Sequence, residues 1–371
     1  MLLSIFNDIP DSRRDQGKRY ELAPVVTIVC IAIMCNAKDI TEIHSYAEEN
    51  LPVLKKLLKL KWKKSPSYPT IRRICISLDQ DTLEQCFRDF STSLGISTET
   101  VSVIAFDGKT LCGSYNNSKE IAPVQLISAF LSKHKIILAH ADIINDKTNE
   151  IPKVRKLIKE LGLTNKIFTM DALHCQHETL KVIVKSSNKG IIQVKNNQRK
   201  ILKNCQKLAN CWNFSSQHID TNNARNRKEV RTAKVYDKNH YFSSRVGELW
   251  NPFISNIIKI ERAVKRFDTK SHQWISSYEE SYYLSTFKLS AKQANNFVRQ
   301  HWGIENSLHY VRDQALKEDQ LHISCGSPNF ARLRSFVLNI LQMNNVKNIK
   351  NEVFRNSLNP YRLLKYKFLL N

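Results

Sequence analysis

Between residues 101 and 210, short apolar runs of strand length alternate with longer amphipathic runs, and this alternation constrains the fold more than any other feature of the chain. The strand-like runs are 101–107, 122–130, 135–143, 166–171 and 190–195. Asn116-Asn117-Ser118 and Lys133-His134 mark turns between the first three, which predicts a meander. Helical runs follow at 151–161, 176–186 and 197–208. The class is α/β, with helices connecting the later strands.

Strand-strand-strand-helix-strand-helix-strand-helix is the order of the ribonuclease H-like fold, whose sheet sets the ends of its first and fourth strands side by side. Both of those strands end here in an acid, Asp107 after Val103-Ile104-Ala105-Phe106 and Asp171 after Ile167-Phe168-Thr169-Met170. A carboxylate at the end of a buried strand is costly unless a positive group waits there. A third acid, Glu305, lies in the helical stretch His301-Trp302-Gly303-Ile304-Glu305-Asn306. At helical spacing Val298, His301, Trp302, Leu308, His309 and Arg312 share its face. A plain amphipathic helix would carry Leu or Val there; the bland alternative is an ion pair of Glu305 with Arg299 or Arg312. Two strand ends and a helix can point Asp107, Asp171 and Glu305 at one spot, a cage for two hard divalent cations, Mg2+ or Mn2+, working on a nucleic-acid phosphate.

The flanks read differently. Residues 1–95 are helical, with runs at 22–35, from Asp39 (capped, with Glu42 three residues on), from Ser67 and at 81–90. Residues 211–290 are rich in Asn, Ser, Tyr and Lys, with strand-like runs at 229–236, 253–260 and 282–287, which predicts a mostly β insertion. Residues 291–318 read as one long helix carrying Glu305, and 331–343 as a helix in the tail. The expected organisation is therefore a helical N-terminal domain (1–95) for DNA binding, an α/β catalytic domain (96–330) interrupted by the insertion at about 211–290, and a helical tail (331–371).

The chain of 371 residues carries a net charge of +23, which calls for a polyanionic partner. The charge is uneven. Residues 1–95 hold 14 Lys and Arg against 12 Asp and Glu, a net of +2; residues 195–300 hold 20 against 8, a net of +12. The nine cysteines form no CxxC pair, and most sit in apolar runs as free buried thiols do. Acidic and basic residues at 8, 11, 13 and 14 argue against a signal peptide, and the longest apolar run, 22–35, is too short to span a bilayer. A reduced, cytoplasmic protein with no membrane partner is expected.

Smaller motifs carry weaker signals. Gly108-Lys109 behind Asp107 gives close backbone approach and a phosphate-reaching cation. Lys195-Asn196-Asn197-Gln198 opens a helix with amine and amide donors, or with an ordinary Asn cap. Asp146-Lys147-Thr148-Asn149-Glu150 is readable as a helix cap. The cluster Arg225, Arg227 and Arg231 suits a DNA backbone, and equally a solvated surface. His174-Cys175-Gln176-His177 invites a zinc reading, but no second His/Cys pair partners it.

Taken together, Asp11-Ser12-Arg13-Arg14, Gly17-Lys18-Arg19, Pro69-Thr70-Ile71-Arg72-Arg73, Phe106-Asp107-Gly108-Lys109-Thr110-Leu111, Ser128-Ala129-Phe130, Asp146 to Ile151, Asp171-Ala172 with Cys175-Gln176, Lys195 with Asn197-Gln198, His301 to His309 and Glu318-Asp319 resemble bacterial insertion-sequence transposases of the DDE class, the H-repeat-associated type. The resemblance runs nearly end to end. It implies a helical DNA-binding N-terminal domain, a ribonuclease H-like core, a β insertion before the last acid, and Asp107, Asp171 and Glu305 as the catalytic, metal-holding triad. The Tyr, Arg, Glu, Lys signature of related enzymes falls here on Val298, His301, Glu305 and Arg312, and their His-Gly-Arg on Arg225-Asn226-Arg227. Lys109, Lys195, Gln198, His301, Asn306 and Arg312 are the expected phosphate contacts. Double-stranded DNA, as element ends and target, and a homodimer in the DNA complex are the implied partners. A metal-dependent nuclease that never joins strands, and a decayed copy that only binds DNA, are the alternative readings.

Overall fold

A computed structural model of the chain describes residues 1–96, 102–114, 123–143, 150–224, 226–238, 249–320 and 326–370. Helices α1 (Leu2–Asn7), α2 (Leu22–Met34), α3 (Ile40–Glu49), α4 (Leu51–Leu58), α5 (Tyr68–Ser77) and α6 (Gln80–Ser93) come first. Strands β1 (Val103–Thr110), β2 (Gln125–Leu131) and β3 (Ile136–Ile143) lead into α7 (Glu150–Glu160), β4 (Ile167–Met170), α8 (His177–Lys185), β5 (Lys189–Val194) and α9 (Arg199–Cys211). Then come β6 (Ser216–Ala224), β7 (Arg227–Asp237), β8 (Asn256–Asp268) and β9 (Gln273–Ser285). The last described elements are α10 (Ala291–His301), a π-helical turn (Ile304–His309), α11 (Tyr310–Gln314), α12 (Ser327–Met343) and α13 (Ile349–Leu358). The predicted turn at Asn116–Ser118, the motif Asp146–Asn149, Arg225 and Cys325 lie outside the described residues.

The chain divides into two compact units. The first comprises Met1–Glu99, Gly108–Lys153 and Gly303–Asn371; the second comprises Thr100–Asp107 and Val154–Trp302. Strand β1 is thus one extended segment whose residues through Asp107 count with the second unit and the rest with the first.

In the first unit, every residue of α2 is buried, which is why its sequence is apolar all round and not striped. Pro24 sits in its first turn, where a missing N–H breaks no helical bond. Asp39 caps α3, accepting from the Glu42 N–H at 2.8 Å. Helix α12 packs on α2, α5, α6 and β3, and β2 pairs antiparallel with β3. Its polar residues are buried in a connected network. Arg332 bridges Glu84 at 2.9 Å and Asp142 at 2.8 Å, and the His140 ring bonds to Glu84 at 3.1 Å and to Ser335 at 2.9 Å. Burial works to raise the Glu84 pKa, but His140 and Arg332 beside it outweigh that and hold it at about 2. Burial pushes the His140 pKa down, against the pull of Glu84.

The second unit is a mixed sheet in the order β1-β4-β5-β9-β8-β7-β6. Strands β1, β4 and β5 are parallel; from β5 onward the neighbours are antiparallel. One face packs on α10: Val103, Ile167, Ile191 and Ile258 meet Ala291, Ala294 and Val298. Ser290 and Gln293 form a reciprocal cap at the start of α10.

The structure departs from the sequence expectations in two places. The insertion has a strand the pattern did not show, β6, and β9 begins well before 282. Residues Gln273–Glu279 are exposed on both faces, so no apolar alternation announces them. The expected helix over 291–318 is interrupted. After Gly303 the backbone makes a π turn, which widens the ring of hydrogen bonds and advances the helical face. Arg312 consequently does not share a face with Glu305: it turns inward and is 0% exposed, while Glu305 is exposed.

Candidate active site

Strands β1 and β4 pair in register from Val103↔Ile167 to Phe106↔Met170. Asp107 is the next residue of β1, and Asp171 follows the end of β4 as the cap of the short 3-10 turn Ala172–His174. The last matched pair, Phe106 and Met170, thus brings the two acids to neighbouring strand ends. By strand alternation they share the face of Ala105 and Thr169, the one α10 covers. On the opposite face Phe106 and Phe168 stack edge to face with centroids 5.1 Å apart.

His301, at the end of α10, reaches this ledge. Its Nδ1 lies 3.1 Å from the Thr169 hydroxyl. Burial pushes its pKa below the usual imidazole value; the charge of Asp107 pulls it up, and His174 pushes it further down. His174 is buried, with Nε2 3.9 Å from a carboxylate oxygen of Asp171. The Asp171 side chain is 44% exposed and accepts from the Leu173 N–H at 3.1 Å. Its loop is fixed by Asn197, whose amide donates to the Ala172 carbonyl at 2.5 Å. Asp171, Lys195 and Asn197 line an open cavity of ≈ 590 Å³ together with Glu279 and Tyr282. Lys195 is exposed there and Gln198 is half-buried one turn on. The sequence singles out His174 only in a zinc reading and Asn197 only in a donor or cap motif; Thr169 carries no such signal, but was findable as the residue two before Asp171 on the same strand face.

The remaining candidates are placed differently. Lys109 is 9% exposed, and its ammonium lies 2.7 Å from Asp313 and 3.1 Å from Asp319, which raise its pKa against the opposing effect of burial. It ties the end of β1 to α11 and is not a free phosphate contact. Arg312 is also no DNA contact: its guanidinium pairs with Glu318 at 3.0 Å and donates to the Ala331 carbonyl at 2.7 Å. Arg231 is 9% exposed and, with Arg227 and Arg262, surrounds Glu229, so the basic cluster is partly neutralised. Arg225 lies outside the described residues. Glu305 and Asn306 are exposed on the π turn of the first unit.

Gly108 faces the Glu150 carboxyl, where a Cβ would lie 3.0 Å from Oε1. Among the described residues no three His, Cys, Asp or Glu side chains gather as ligands of a metal ion. Asp107 and Asp171 carry carboxylate oxygens, a hard donor type that suits magnesium better than zinc. Among the described residues no helix is long and apolar enough to cross a membrane.

The comparisons bear on the same segments. A family model described as "Transposase DDE domain" matches residues 91–340, and one described as "DDE_Tnp_1-associated" matches residues 3–91. "Putative transposase YncI" of Escherichia coli O157:H7 is 28% identical over 364 residues, spanning 95% of this chain and 90% of that protein. "H repeat-associated putative transposase YhhI" of Escherichia coli (strain K12) is 25% identical over 347 residues, spanning 92% of this chain and 90% of that protein. Among solved structures, a S-adenosylmethionine-dependent methyltransferase from Clostridium acetobutylicum ATCC 824 aligns with a TM-score of 0.15 at 7% identity over 40% of this chain and 58% of that one, a likeness that carries no argument.

Proposed function

Because the chain belongs to the DDE transposase family, we propose that it cuts DNA at the ends of an insertion sequence and joins the freed 3′-hydroxyl to target DNA. The observation that carries this reading is the pair Asp107 and Asp171, one residue past the matched positions Phe106 and Met170 on adjacent parallel strands. The order of strands and helices from β1 to α9 supports a ribonuclease H-like core around them. Glu305 is the third acid of the proposed triad.

In this reading Asp107, Asp171 and Glu305 hold two magnesium ions, which when bound activate the attacking oxygen and stabilise the leaving one. In the first step water attacks phosphorus and the bond to the 3′-oxygen breaks, leaving a 3′-hydroxyl and a 5′-phosphate. In the second the 3′-hydroxyl attacks a target phosphodiester, so one P–O bond replaces another and no outside energy source is needed. Lys195, Gln198, His301 and Asn306 position the phosphates. Thr169 fixes the His301 ring, and Asn197 fixes the loop that carries Asp171. Two copies of the chain bring two element ends together.

A strand-transfer assay on a pre-cut element end with a free 3′-hydroxyl tests this. Joined product should form with magnesium and be absent with Asp107→Asn. Hydrolysis without any joined product would replace this reading by that of a simple nuclease.

A further inference from the structure

The π turn that carries Glu305 is held at both ends by neighbouring strands of the first unit. Where it begins, Gly303 lies beside Phe130 and Ser132 at the end of β2; a Cβ on Gly303 would sit 3.9 Å from a side-chain atom of each. Where it ends, the chain continues directly into α11, whose Asp313 meets the Lys109 ammonium of β1 at 2.7 Å. Asp319 closes on the same ammonium at 3.1 Å. Between the two anchors Ile304, Leu308 and His309 are buried, and Glu305 and Asn306 are exposed.

A buried ammonium is tolerated only when it is paired, and Lys109 is met by carboxylates from two different segments. Its stem cannot swing away without leaving buried charge uncompensated. Lys109 stands two residues past Asp107 on one strand, and Asp313 stands eight residues past Glu305 on one continuous helical run. A π turn is a rare backbone state that recurs at functional sites. The anchors on either side of this one fix the direction of its exposed acid.

We propose that Lys109 is a positioning residue for Glu305. Its bridge to Asp313 and Asp319 seats the Glu305 turn against β1, and so sets how tightly the acids hold magnesium. The proposal rests on the triad of the proposed function and deepens it. Groups that orient metal-holding side chains without touching the metal commonly govern affinity by tenfold or more.

The test is a magnesium titration of the full chain without DNA, read by calorimetry, beside a titration with a labelled duplex without metal. In Lys109→Met the magnesium needed for half-saturation should rise roughly tenfold, while duplex affinity stays as in the unaltered chain. Lys109→Arg should restore most of the loss. Asp313→Asn/Asp319→Asn keeps Lys109 but frees it, and should shift the magnesium curve as Lys109→Met does. Where Lys109→Met alone does not fold, Lys109→Met combined with both Asn changes removes the opposed charges and should show the same shift. Adding Lys109→Met to Glu305→Gln should shift the curve no further, because the tie acts through that acid. A magnesium curve unchanged in Lys109→Met, even with a lower melting temperature, overturns the proposal and leaves the triad standing. A full further shift in the Glu305→Gln background also overturns it. So does a loss of duplex affinity in Lys109→Met with a normal magnesium curve in the Asn pair, which would make Lys109 a phosphate contact. An unaltered chain that takes up no magnesium overturns the triad itself.

Discussion

Asp107 and Asp171 each come one residue after the paired positions Phe106 and Met170 of two parallel strands. Carboxylates brought together at neighbouring strand ends repel one another unless a cation lies between them.

Magnesium or manganese should therefore raise the melting temperature of the chain, since a ligand of the folded state alone stabilises it by mass action. A rise of a few degrees is expected at millimolar metal, corresponding to roughly 1–2 kcal/mol. The rise should vanish in Asp107→Asn/Asp171→Asn. Scanning fluorimetry with a calcium control measures it, and an equal rise in the double variant would place the metal elsewhere.

Arg312→Met should destabilise the protein by about 3–5 kcal/mol, because it leaves the buried carboxylate of Glu318 without its partner. Urea unfolding reads the loss. Under conditions where the variant is folded, DNA affinity should be unchanged; a selective loss of DNA binding would return Arg312 to the role the sequence suggested.

Stability should fall in acid in two stages. His140 has a lowered pKa when folded, so its contribution is complete above the ordinary imidazole value and fades as pH falls below it. Glu84 drops from an ordinary 4.5 to about 2 when folded, so its contribution is complete above 4.5 and is lost toward 2. On the order of 3 kcal/mol goes with the second stage. Unfolding by urea at a series of pH values should show that slope, and Glu84→Gln should flatten it; a slope below pH 4.5 unchanged in that variant would assign it to other carboxylates.

Gly108→Ala should cost about 1 kcal/mol, because its methyl meets the Glu150 carboxyl at 3.0 Å. Shortening that side chain with Glu150→Asp should recover part of the loss. A double-mutant cycle gives the coupling, and strict additivity would show that the two do not touch.

How far the sequence could be read depended on the kind of signal. The strands that lead to Asp107 and Asp171 were legible because each is an apolar run ended by an acid, and the two strands do pair in parallel. The capped helix from Asp39 was legible for the same local reason. Lys109 and Arg312 were misread because a cation looks identical in sequence whether it meets a phosphate or a buried acid; Asp313, Asp319 and Glu318 decide it, and their placement depends on the π turn after Gly303. That turn leaves no periodic trace, since it alters the spacing on which helical reading relies.

Helix α2, buried on every side, finds part of its cover in α12, some three hundred residues later in the chain. During synthesis the N-terminal helices therefore remain without a finished core until Ser327–Met343 has cleared the ribosome. Copies cut short by a frameshift or premature stop before that point would emerge with this apolar helix partly uncovered, open to proteases.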